Sequence, residues 1–167
     1  MDEGRFNDAL RRAVQDAATR PAVAGAVAAV YADLAAEVEA QRPRCELSGR
    51  CCRFEEYDHR LYVTTIELAA FLRAAGERKV TQWDGRGCPF QVGKLCGVHG
   101  IRPFGCRIFF CDPLSTDWQR EAYERFHGRL KRLHDELGVA YFYVEWRQAL
   151  AAVMGVRPTP VEPRTPL

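Results

Sequence analysis

The sequence predicts a mostly helical α+β fold, with N- and C-terminal helices around a central irregular segment rich in cysteine. Three observations predict it. Apolar residues recur at helical spacing in both outer parts of the chain. Glycine and proline break up residues 80–111, and a short β-branched and aromatic run stands near the C-terminal end.

Phe6, Leu10, Ala13, Val14 and Ala17 carry the first helical pattern. Pro21 interrupts it, and an alanine-rich stretch from Val23 to Ala40 resumes it, so two packed helices or one kinked helix are expected over 3–41. A loop follows, RPRCELSGRCCRF, bounded by Pro43 and containing Gly49. Thr64 and Glu67 have capping-box spacing, which predicts a helix to about Ala75 that stops at Gly76. Residues 80–111 are too punctuated for one long element.

Ser115 or Thr116 caps a helix expected to reach Leu137, with Trp118, Ala122, Phe126, Leu130, Leu133 and Leu137 on its apolar face and Gly138 as terminator. Arg120–Glu124 and Glu121–Arg125 stand at i, i+4 on the solvated side. The run 139–146, VAYFYVEW, reads as a strand, and a short helix follows through Ala152. One domain over 1–155 therefore divides into a helical part 3–41, a metal-binding segment 45–111 and a helical part 115–153. The proline-rich tail 156–167 is expected to be disordered.

Hydrophobic residues make up 47% of the chain and charged residues 28%, so a core can form without metal or disulfides to hold it. A net charge of +2 argues against a dedicated nucleic-acid binder, although residues 120–134 do interleave basic and apolar positions. No run approaches the ~18 consecutive apolar residues of a membrane helix. The acidic, polar N-terminus lacks the form of a secretory signal. A cytoplasmic, reducing location without membrane contact is the expectation. There, cysteines serve metal or redox chemistry more readily than disulfides.

The cysteines are Cys45, Cys51, Cys52, Cys88, Cys96, Cys106 and Cys111, all inside the central segment, while the flanking helices have none. Thiols serving only as small core hydrophobes would scatter across apolar faces. Clustered in Gly/Pro loops, they can converge on one point, and soft thiolates select zinc, copper(I) or iron–sulfur centres over hard cations. All seven are candidate metal ligands. The preferred set is Cys88, Cys96, Cys106 and one of Cys51 or Cys52, because adjacent side chains diverge. Arg102 and Arg107 either donate hydrogen bonds to the thiolates and offset their charge, or serve as surface charges and ion-pair partners.

CELSGRCC followed by CPFQVGKLCGVHGIRPFGCRIFFC resembles the YkgJ-like cysteine-cluster family, a CxxCxxCC zinc- or iron-chelating domain. The resemblance rests on Cys51-Cys52, Cys88-Pro89, Arg102-Pro103 and Cys106-Arg107-Ile108-Phe109, and covers about Cys45 to Cys111. It implies a chelated metal and does not fix an activity; a related cluster occurs in flagellin lysine methylases. Ser48 stands where the family has its second cysteine, and His99 where tyrosine is more usual. His99 is thus either a ligand or an orienting residue.

The spacings depart from the C-x₂₋₄-C knuckles of structural zinc sites, and Cys88-Pro89 matches the cysteine–proline step of ferredoxin runs. An iron–sulfur cluster is therefore slightly preferred, with zinc as the alternative. Three roles remain open: a redox centre serving or assisting an oxidoreductase, a structural clasp in an interaction module, and metal storage or delivery. His127 and His134 share a helix face and read as solvated or interface residues, and His59 as a loop histidine or a neighbour of the centre. No phosphate loop, GxSxG or dinucleotide fingerprint is present, and no substrate or protein partner is indicated.

Overall fold

In the computed structural model, which describes residues 2–80 and 82–160, the chain is α+β and mostly helical. The N-terminal pattern resolves into two helices, α1 (Glu3–Ala18) and α2 (Pro21–Gln41), with Pro21 in the first turn, where its missing N–H costs nothing. Leu10, Val14 and Ala17 of α1 and Val23, Val27, Val30 and Leu34 of α2 enter the core at helical spacing. By length and composition α2 is apolar enough to cross a membrane, with a mean hydropathy of 1.4, although no long uninterrupted apolar run exists. Its valines and alanines together give that value, and Val23, Val27, Val30 and Leu34 pack inward.

Two short strands, β1 (Tyr62–Thr64) and β4 (Tyr143–Glu145), pair antiparallel with Val63 opposite Val144. Each runs directly into a helix, β1 into α3 (Thr65–Ala75) and β4 into α6 (Trp146–Met154). Only three residues of the VAYFYVEW run form a strand, because Glu145 caps α6 by accepting the N–H groups of Arg147 and Gln148. At α3 the capping pair forms as its spacing predicts: the Glu67 carboxylate accepts the Thr64 N–H and hydroxyl, both at 2.8 Å. The other Glu67 oxygen accepts the N–H of Phe104 at 3.0 Å, at the head of α4 (Phe104–Ile108). One buried carboxylate thus caps two helices.

The long helix α5 (Thr116–Leu137) ends at Gly138, which takes a left-handed conformation with φ 62°. Arg125 turns away from Glu121 to bind Glu37 of α2, and Arg129 reaches Asp33, so these arginines tie α5 to α2. His134 is not solvated. It is 2% exposed, bonds through Nδ1 to the Leu130 carbonyl, and accepts the Ile66 N–H at Nε2. The proline-rich tail is not wholly free: Val156 is buried, and Thr159 exchanges two hydrogen bonds with Trp83. Residues 161–167 of that tail lie outside the described residues.

Candidate metal centre

The central segment folds as three pieces that meet. A 3₁₀ turn (Arg50–Cys52) carries the paired cysteines. A two-stranded hairpin, β2 (Gln91–Val92) with β3 (Leu95–Cys96), is closed further by a 2.8 Å bond from the Gly97 N–H to the Phe90 carbonyl. Cys88 and Cys96 leave this hairpin at the same end. The turn is fastened to it by the Cys88 N–H, which donates to the Cys52 carbonyl at 2.8 Å.

That approach requires glycine at position 87. Gly87 has φ +59°, and a Cβ there would lie 2.5 Å from the Cys52 carbonyl oxygen. Gly49 permits a similar approach on the other side of the turn, with φ +73° and 2.7 Å from its Cβ position to the Lys94 carbonyl oxygen. The third piece is α4, whose first turn presents Cys106 and whose position is set by the buried Glu67.

Cys51, Cys52, Cys88, Cys96 and Cys106 line one small cavity together with Arg102, Pro103, Phe54, Val98 and Trp146. Its open volume is about 10 Å³, barely room to admit a single water molecule. The Cys52 thiol is within hydrogen-bonding reach of the thiols of Cys51, Cys88 and Cys96. Adjacent cysteines are expected from sequence to diverge; the 3₁₀ turn brings both to one cavity. Among the described residues, no three such side chains already stand as a group that could hold a metal ion. The five cysteines line a space of only about 10 Å³, so the side chains must adjust for an ion to enter.

The surroundings favour thiolate. Hydrogen bonding to the Cys52 thiol, with support from the Arg102 charge, brings Cys51 and Cys96 down to about 6. Cys88 is lowered too, by the Cys52 thiol first, then by the Phe90 N–H and the Trp146 indole. The Val98 N–H acts on Cys96 as the Phe90 N–H does on Cys88, each two residues beyond its sulfur. Cys52, as donor to three neighbours, is driven strongly up. Burial pushes Cys106 up as well, although the residue as a whole keeps some exposed surface.

Two of the buried donors without an ordinary hydrogen-bond partner, Arg102 Nε and Trp146 Nε1, belong to residues lining the cavity. Such orphaned N–H groups are costly unless an acceptor arrives. Five thiols and two unpaired donors fit a thiolate-bound cation.

Arg107 does not line this cavity. Its guanidinium lies 4.1 Å from the Tyr31 ring centre and its Nε donates to the Arg102 carbonyl at 2.7 Å, so it braces the backbone of Arg102. Cys45 is exposed and Cys111 half-buried, and neither lines the cavity; the Arg44 N–H binding the Asp112 carboxylate at 3.0 Å places their neighbours together elsewhere. His99 and Ser48 also lie off it, and Ser48 Oγ accepts the Arg50 N–H. His59 packs between Phe54 and Phe109 and reaches the Cys51 carbonyl at 3.2 Å, bracing the turn from behind.

Sequence reasoning missed Trp146, which reads there as the end of a strand. A buried tryptophan with a free N–H is the signal, and only the fold reveals it. Beyond Cys88 lies an open cleft of about 450 Å³ walled in part by Arg53, Glu55, Trp83 and Arg86. Arg53 and Glu55 there are already paired, with Glu56 and Arg147. Comparison with protein-family models, curated proteins and solved structures gives no match.

Proposed function

We propose that this protein binds a thiolate-ligated metal through Cys51, Cys52, Cys88 and Cys96, with Cys106 beside them. The observation that carries the reading is that five cysteines, and two residues with orphaned N–H donors, line one small cavity. The YkgJ-like resemblance of the sequence points the same way. Loading displaces protons from the ligating thiols, and the cation takes the space between them.

The small size of the cavity suits one tetrahedral ion better than a larger centre, once the thiols close on it. A zinc–sulfur distance of about 2.3 Å puts ligand sulfurs roughly 3.8 Å apart, which is contact distance for thiols. Zinc in a structural clasp is therefore the reading the cavity supports best. An iron–sulfur cluster is the second reading. The fifth thiol and the orphaned donors exceed the needs of one Cys₄ ion, and a cluster would use them. It requires the cavity to open, because inorganic sulfide and iron need more room than the present 10 Å³.

The test is anaerobic purification followed by absorbance and elemental analysis for zinc, iron, copper and acid-labile sulfide. Zinc near one equivalent in a colourless protein supports the clasp. Iron and sulfide with a broad band near ~400 nm establish the cluster instead. Protein that binds none of these metals after reduction and reconstitution overturns the proposal.

A further inference from the structure

Trp146 is the first residue of α6 and is 1% exposed. It belongs to the far end of the chain from the cysteine turn, yet it closes one wall of the thiol cavity. Its ring is fixed on two sides. Phe71 meets it edge-on at 5.0 Å, and Phe90, two residues after Cys88, lies at 6.1 Å. Its own backbone N–H donates to the Leu61 carbonyl at 2.8 Å. The indole therefore cannot swing to another acceptor.

The indole N–H is the one polar group on this side chain, and it makes no hydrogen bond of ordinary geometry. The other two tryptophans differ. Trp83 donates to the Arg86 carbonyl at 2.7 Å and Trp118 to the Glu37 carboxylate at 2.8 Å. Trp146 alone has its donor left over, and Cys88 lines the same small cavity, with its thiol within the indole's reach. A neutral thiol is a poor acceptor, whereas a metal-bound thiolate is a good one. Conversion of Cys88 from thiol to bound thiolate therefore supplies the acceptor that this donor lacks.

We propose that the Trp146 indole N–H is a dedicated hydrogen-bond donor to the metal-bound Cys88 sulfur, making this residue a positioning and affinity-setting element of the centre. The inference rests on the metal-binding reading above. It adds a residue from outside the cysteine segment and a reason for its burial. Donors of this kind around a ligand typically account for about 10- to 100-fold in metal affinity.

The test uses the full chain labelled with nitrogen-15 at tryptophan and loaded with cadmium-113, a diamagnetic thiophilic probe. Cadmium uptake is read independently from the ultraviolet thiolate-to-metal absorbance. On loading, the Trp146 indole proton is expected to move the most of the three and to acquire a splitting from cadmium. The Trp118 signal should stay in place. Replacing Trp146 by benzothienylalanine, which keeps the shape and exchanges N–H for sulfur, should weaken cadmium binding at least tenfold; Trp146→Phe should act in the same direction.

An indole signal that stays put in fully loaded protein overturns the inference while leaving metal binding intact. So does a benzothienyl protein that binds cadmium as tightly as the native chain. Absence of any thiolate-to-metal absorbance overturns the metal-binding reading itself, and the inference with it.

Discussion

Gly87→Ala tests whether the join between the cysteine turn and the hairpin makes the site. The new Cβ would fall 2.5 Å from the Cys52 carbonyl oxygen, well inside contact distance, and φ is +59°. Holding a non-glycine residue in that left-handed conformation costs about 1–2 kcal/mol. The 2.8 Å bond from the Cys88 N–H to the Cys52 carbonyl must lengthen or break, which removes about 0.5–1.5 kcal/mol more. A total of roughly 2–3 kcal/mol corresponds to a melting temperature lower by about 4–12 °C for a domain of this size. Because Cys52 and Cys88 move apart with their backbones, metal affinity should fall by about tenfold or more, as 1.4 kcal/mol is a factor of ten.

The assay pairs thermal unfolding of metal-free protein with competition against a chromophoric chelator. Gly100→Ala is the control, since a Cβ there has nothing within 4 Å and its φ is not left-handed. Wild-type stability and affinity in Gly87→Ala would refute the reasoning, because the join would then not hold the thiols.

Serine substitution at Cys52 or Cys88 should abolish tight metal binding, whereas Cys45→Ser and Cys111→Ser should retain it, as measured by metal content after dialysis. Glu67→Ala, at a carboxylate only 2% exposed, strands the N–H groups of Thr64 and Phe104 and should cost about 3–5 kcal/mol by urea unfolding. In metal-free protein, Cys51 and Cys96 titrate at about 6 against an ordinary thiol value of 9. Folding lowers these values, so the stability they contribute is fully present above about pH 9 and is lost as pH falls through 6. Urea midpoints at pH 9, 7.5 and 5 should therefore decrease in that order. Iodoacetamide at pH 7 should alkylate these two ahead of Cys106, as followed by peptide mass spectrometry.

Where local chemistry decides the structure, the sequence is a sufficient guide. The apolar spacing of α5 and its Gly138 stop, Pro21 opening α2, and the Thr64–Glu67 pair all depend on residues within a few positions of one another. The site is legible as a set of cysteines and not as an arrangement. Cys51 and Cys52 share a cavity because a 3₁₀ turn is stapled to a hairpin 36 residues away, which spacing does not encode. Cys45 and Cys111 look like the others by type and stand apart by fold. Long-range contacts likewise bury His134 beneath α3, send Arg125 to Glu37 and fix Thr159 to Trp83. Trp146 reaches the thiols through a strand pairing whose partner begins at Tyr62.

The placement of Trp146 also has a consequence for biosynthesis. A ribosome delivers the turn, the hairpin and α4 in that order, so all five cavity thiols leave the exit tunnel before the wall that Trp146 supplies. Closure comes only when β4 pairs with β1 and α6 swings into place. On the proposed metal-binding reading, the cavity takes its final shape only after α6 has been made.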